Sequence, residues 1–349
     1  MLPSKNDRRF LIISAWIVAG MSAVAAILYA IGSDHSANRF FALSRHQFPV
    51  LALAFGPDDK TLTSVAGFPT SSRESVELFV WDLRSRQLVR QDCGLQANLT
   101  ALGLSADGST LATAGLTRGP RVWDTASFRE KPWKDAGQAG LCSLSLSAGG
   151  NMLAGASRGN EIFVWGKDGA RQWSRPAGHD RFALALALSP NSRLLASGGS
   201  DGVIFLWDLQ TTLSIRLGAG HASPVQTVAF TPDSRLVATG DLGGFVKLWD
   251  SNTSTEKATF RTATAKSADL NETNEVNVLA FAPDGKTLAI AVGSQVQCWD
   301  VGSGLWQTTF LSNAGNVSSL AYSHDGSMLA FGTQSGSLQV SLLFTPAKP

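Results

Sequence analysis

A chain of 349 residues with 44% apolar content is long enough to bury a large core. Its formal charge of +2 and 16% charged residues leave no clustered Lys and Arg of the kind a nucleic-acid footprint needs. Its three cysteines, Cys93, Cys142 and Cys298, show no CxxC spacing, so they imply no disulfide framework and read as single buried thiols.

The first element in chain order is an apolar run of 22 residues, 10–31, opening at Phe10 and closing at Ile31 without a charge. As a helix it would extend about 33 Å, enough to cross the hydrocarbon core of a bilayer. Lys5, Arg8 and Arg9 precede it, while Asp34 and His35 follow before Arg39. That asymmetry assigns residues 1–9 to a cytoplasmic tail and the rest of the chain to the other side. The alternative is a signal peptide cut after Ala23-Val24-Ala25, which would release a secreted protein. A signal's apolar region usually runs about 7–15 residues, and this one continues past Ala25 to Ile31. The length favours an uncleaved signal anchor, with 32–38 as a linker.

From residue 39 onward the sequence is periodic. Trp81, Trp123, Trp165, Trp207 and Trp249 stand 42 residues apart, Trp299 follows 50 later, and Ser341 takes the same place a further 42 on. Each repeat opens with an apolar strand, expected at 50–55, 99–104, 141–146, 183–188, 225–230, 276–281 and 317–322. A turn such as Ser189-Pro190-Asn191-Ser192 or Ala282-Pro283-Asp284-Gly285 follows each one; Pro and Asp/Asn/Gly suit successive positions of such turns. A second strand, a tight bend and a Trp-bearing third strand come next. The third strand is apolar throughout, which implies cover on both faces. Fourth strands are expected near 128–133, 171–174, 213–217, 257–261 and 305–310, at an outer edge that tolerates polar residues. The seventh repeat stops after its third strand, so residues 39–44, stranded before the first repeat, are the expected donor that clasps the ring.

A period of about 40–45 residues with a Trp-Asp signature resembles the WD-repeat β-propellers over residues 39–346. The fold expected is all-β: a seven-bladed propeller of four-stranded antiparallel blades, preceded by one transmembrane helix. In that family a buried His, Ser/Thr, Asp and Trp form a hydrogen-bonded chain. The resemblance assigns those roles to His179, Ser197, Asp201 and Trp207 in repeat four. Repeat five keeps His221, Thr239 and Trp249 with Gly243 where the acid belongs, and repeat one keeps His46, Ser64 and Trp81 with Ser75 there. Repeat seven has no member of the set.

The three repeated histidines fall in different blades, so metal ligation is not expected. No phosphate loop, GxSxG elbow or HExxH is present, and the seven innermost strands carry no charged residue. Neither catalysis nor a cofactor is expected. Two insertions, 67–77 and 262–275, fall on loops that share one end of such a barrel, which marks that face for a protein partner. On the same face Glu74, Arg158, Phe182 and Glu275 are the candidate anchors by chemistry. The reading is a membrane-anchored, non-catalytic interaction scaffold. A propeller enzyme or small-ligand receptor, and a structural subunit of a membrane complex, are the alternatives.

Overall fold

The structure is a computed structural model that describes residues 40–43, 46–67, 76–95, 100–115, 119–134, 140–262 and 274–343. The apolar run 10–31 and the tail and linker that flank it lie outside the described residues. Among those described, no helix is long and apolar enough to cross a membrane. Contacts group the chain from Ala42 onward into one compact unit; of what precedes it, Phe40 and Phe41 are described.

Among the described residues, twenty-eight strands form seven four-stranded antiparallel sheets. In blades 1–6 the four strands follow in sequence, as in blade 4: Ala183–Leu188, Leu194–Gly199, Ile204–Asp208 and Ser214–Arg216. Blade 7 draws three strands from Val317–Tyr322, Met328–Thr333 and Leu338–Leu342, and its outermost strand is Phe40–Ala42. The Leu43 N–H donates to the Leu338 carbonyl at 2.8 Å, so both ends of the described chain meet in one sheet.

The Asp of each Trp-Asp pair explains the turn between third and fourth strands. Asp82, Asp124, Asp208, Asp250 and Asp300 accept from the backbone N–H three residues on, at 2.6–2.9 Å. The fourth residue after each Asp is left-handed: Arg86, Phe128, Thr212, Ser254 and Gly304 have φ of 57–69°. A carboxylate that caps the turn holds non-glycine residues in a conformation they otherwise avoid. Blade 3 has Gly166 instead and closes a tighter turn with Gly169 at φ 75°.

Burial on both faces is most complete on the second strands rather than on the third. Leu153–Ser157 and Thr110–Ala114 are buried at every position, whereas Ile204–Asp208 is half-buried at Phe205 and Asp208. The cause is the close approach of neighbouring blades, filled by small side chains. Ala154, Ala196, Ala238, Ala289 and Ala330 are all fully buried. A Cβ on Gly198, Gly240 or Gly332 would stand 2.4–2.5 Å from the Val that opens the next blade's inner strand.

A second set of contacts links the inner strands of neighbouring blades at four junctions. In each, a side chain at or just before the start of an inner strand donates to the first carbonyl of the next blade's inner strand. Thr100 reaches the Leu141 carbonyl at 2.5 Å, Cys142 reaches Ala183 at 3.4 Å, Asn277 reaches Val317 at 3.4 Å and Ser318 reaches Val50 at 2.7 Å. Cys142 thus serves as a weak structural donor, and burial raises its thiol pKa.

Candidate interaction face and buried imidazole networks

In blade 4 the four residues singled out in the sequence form one chain of hydrogen bonds. Trp207 Nε1–H donates to Ser197 Oγ at 3.1 Å. Ser197 Oγ lies 3.0 Å from His179 Nε2, and His179 Nδ1 lies 3.2 Å from Asp201 Oδ1. The indole can only donate, so the hydroxyl accepts from it and donates its own proton to Nε2. The proton of the neutral imidazole then sits on Nδ1, facing the carboxylate. Burial lowers the His179 pKa, with Asp201 opposing it. Burial also acts to raise Asp201, but the backbone N–H groups of Asp180 and Val203 and the nearby His179 outweigh it.

Blades 1 and 5 complete the same chain with acids that register alone does not find. His221 Nδ1 meets Asp241 Oδ2 at 2.9 Å and its Nε2 meets Thr239 Oγ1 at 2.7 Å, with Trp249 donating to that hydroxyl at 2.9 Å. Asp241 closes the second strand, and its other oxygen accepts from the N–H of Gly243 and of Phe245. The acid therefore comes from two residues before the expected position, and Gly243 only serves the turn. In blade 1, His46 Nδ1 meets Glu77 Oε2 at 2.9 Å, its Nε2 meets Ser64 Oγ at 2.7 Å, and Trp81 donates to Ser64 at 2.8 Å. Glu77 stands on the third strand, Val76–Asp82, and its longer side chain spans the added distance; Ser75 lies outside the described residues. Of the two acids only Asp241 carried a signal in the sequence, as the one charged residue between Arg235 and Lys247; Glu77 follows Arg73 and Glu74 closely and is not set apart.

Elsewhere the Trp column has other partners. Trp123 donates to Thr113 at 3.0 Å and Trp299 to Gln297 at 3.3 Å. In blade 3 Gly155 takes the place of the hydroxyl residue, and the buried Trp165 Nε1 has no hydrogen-bond partner. Blade 7 places buried Phe331 and Ser341 at those positions.

The face reached by the second-to-third turns and the blade-to-blade connections carries the remaining candidates. Arg158 is exposed and its N–H donates to the Gly140 carbonyl at 3.2 Å. Phe182, 41% exposed, exchanges hydrogen bonds with Ser200: Ser200 N–H to its carbonyl at 2.9 Å and its own N–H to Ser200 Oγ at 3.3 Å. Glu275 is half-buried just before the inner strand Val276–Phe281. Glu74 lies outside the described residues, as do 68–75 and 263–273 of the two inserted loops. The flanking residues Gly67, Val76, Thr262 and Glu275 are described, and strand direction puts them all at this end.

Along the axis, the seven inner strands line a cavity of about 350 Å³ with no charged residue. Its polar lining is neutral: Ser143, Gln226, Thr227, Asn277, Ser318 and Ser319. Among the described residues no group of three His, Cys, Asp or Glu could hold a metal ion.

The WD domain, G-beta repeat family matches residues 173–208 and 211–250. The first match opens on the outer strand of blade 3 and the second in the turn before the outer strand of blade 4; each closes on the Trp-Asp of the next blade, and together they enclose the networks of His179 and His221. No curated protein matches the chain by sequence. The solved structure of U3-55K superposes with a TM-score of 0.74 at 18% identity, covering 88% of this chain and 99% of that one. That likeness speaks for the fold and not for a function. The chain is a seven-bladed β-propeller in which residues 173–208 and 211–250 match the WD-repeat family model.

Proposed function

We infer that this protein is a non-catalytic interaction scaffold, held to a membrane by residues 10–31 with the propeller on the non-cytoplasmic side. It captures a protein partner on the face that carries loops 67–77 and 262–275. The observation that carries the reading is the division of polar groups. The imidazoles at His46, His179 and His221 are buried with both nitrogens engaged in hydrogen bonds, and the axial cavity is neutral. The charged and aromatic candidates Arg158, Phe182 and Glu275 instead stand on one loop-bearing face. WD-repeat propellers bind proteins through such rigidly held loops, which supports the same reading.

Replacing both inserted loops with short turns tests it. Proteins that co-purify with the full chain from detergent extract, identified by mass spectrometry, should be lost, while the thermal unfolding midpoint stays where it was. Capture that survives the double replacement would overturn the assignment of the face.

A further inference from the structure

An exposed sheet edge is normally kept from unwanted association by charge. Five of the seven outer strands follow that rule: Gln87–Leu95, Arg129–Lys131, Arg171–Pro176, Ser214–Arg216 and Glu256–Arg261 each contain Lys or Arg. The two exceptions are Trp306–Leu311 of blade 6 and Phe40–Ala42 of blade 7, which carry no charge. These blades are neighbours, joined by the Asn277 to Val317 hydrogen bond. On the two outer strands and beside them, Leu305 is 66% exposed, Trp306 47%, Leu342 45% and Phe40 51%.

Strand direction puts these four side chains at one end. Leu305 and Trp306 follow the third-to-fourth turn of blade 6, Leu342 closes the third strand of blade 7, and Phe40 opens the fourth. This end is opposite the inserted loops. What covers the patch is indicated by the chain itself. Residues 32–39 are all that separate Ile31 from Phe40, and the fully extended steps from one to the other reach at most about 32 Å. A bilayer that holds 10–31 therefore lies within that distance of the strand entering blade 7. Trp and Leu without a charge suit the headgroup boundary, where indoles concentrate. We propose that the rim of blades 6 and 7, at Leu305, Trp306 and Leu342, lies against the lipid surface of the membrane that holds residues 10–31. The proposal rests on the anchor reading above.

The test uses the full chain in vesicles of phosphatidylcholine and phosphatidylglycerol, with the photoreactive residue benzoylphenylalanine placed singly at 305, at 342 and, as control, at 213. Leu213 stands at the same end of blade 4 and is 69% exposed, so reaction by exposure alone would favour it. Lipid adducts, read by mass, should be several-fold more abundant at 305 and 342 than at 213. Equal yields at the three positions, or adducts at 305 and 342 to a second copy or to another protein, would overturn the proposal. An alkaline carbonate wash separates the two readings. A chain that stays in the vesicles with equal adducts defeats the rim contact alone, and a chain that washes off defeats the anchor and the contact together.

Discussion

The neutral His179 sets how its network responds to acid. Burial holds the pKa of His46, His179 and His221 below the ordinary 6.5, so the unfolded chain takes up these protons first as pH falls. Their contribution is fully present above pH 6.5 and is lost as the pH falls from there toward the folded values. Asp201 is displaced downward from 3.8, so its contribution is present above that value and is lost only in stronger acid. The thermal midpoint should be flat in mild alkali and decline below pH 6.5, before carboxylates begin to protonate; a midpoint unchanged across that window would contradict the neutral assignment. Removing the shared hydroxyl is the sharper probe. Ser197→Ala strands the Trp207 indole N–H and His179 Nε2 in a dry interior, and should cost about 2 kcal/mol in chemical denaturation. The period of the sequence pointed to Ser197 and Trp207 but not to Glu77 and Asp241. A spacing pattern assumes one backbone position per role, whereas a carboxylate reaches the same imidazole from more than one.

At the scale of the element, the inner strands were the most legible part of the chain. Six of the seven occupy the expected residues from first to last; the second blade's begins at Ala101, two residues later than its pattern suggested. Packing on both neighbours fixes their alternation. Outer strands were read less well: Ser214–Arg216 is shorter than expected, Arg171–Pro176 longer, and the first blade's fourth strand, to which no residues had been assigned, is the nine-residue Gln87–Leu95. Their side chains are largely solvated, so no face of the sequence is held to a pattern. The second strands are where neighbouring blades come closest. A Cβ at Gly240 would sit 2.4 Å from Val276 Cγ1 and 2.9 Å from Thr227 Cγ2. Gly240→Ala should therefore destabilise the protein by about 1–3 kcal/mol, measured as a shift in denaturant midpoint.

Over the whole molecule, the junction of blades 7 and 1 is the one that sequence left weakest, since the seventh repeat lacks the network. The structure reinforces it by other means. Ser318 and Ser319 Oγ both donate to the Val50 carbonyl, at 2.7 and 2.9 Å. The Asp59 carboxylate, on the first turn of blade 1, accepts from the N–H groups of His324 and Asp325 at 2.8 and 2.9 Å and lies 2.9 Å from His324 Nδ1. Blade 4 makes a lesser version of this contact to blade 5, a single bond of 3.2 Å from Asn191 N–H to Ser234 Oγ. Asp59→Asn keeps a residue that tolerates the left-handed φ of 55° there but replaces one of the two acceptor oxygens with a donor. It should lower stability by about 1–2 kcal/mol, while the equivalent Ser234→Ala costs less; equal losses would count against a special role for this junction.

Because Phe40–Ala42 is matched with Leu338–Leu342, the earliest of the described strands to be synthesised has to wait for the latest of them. The blades between can assemble as they emerge, but the circle closes only once residues 338–342 have been made. Until then the sheet of blade 7 is an open seam, and translation interrupted before that point leaves Phe40–Ala42 with nothing to pair with in its own sheet.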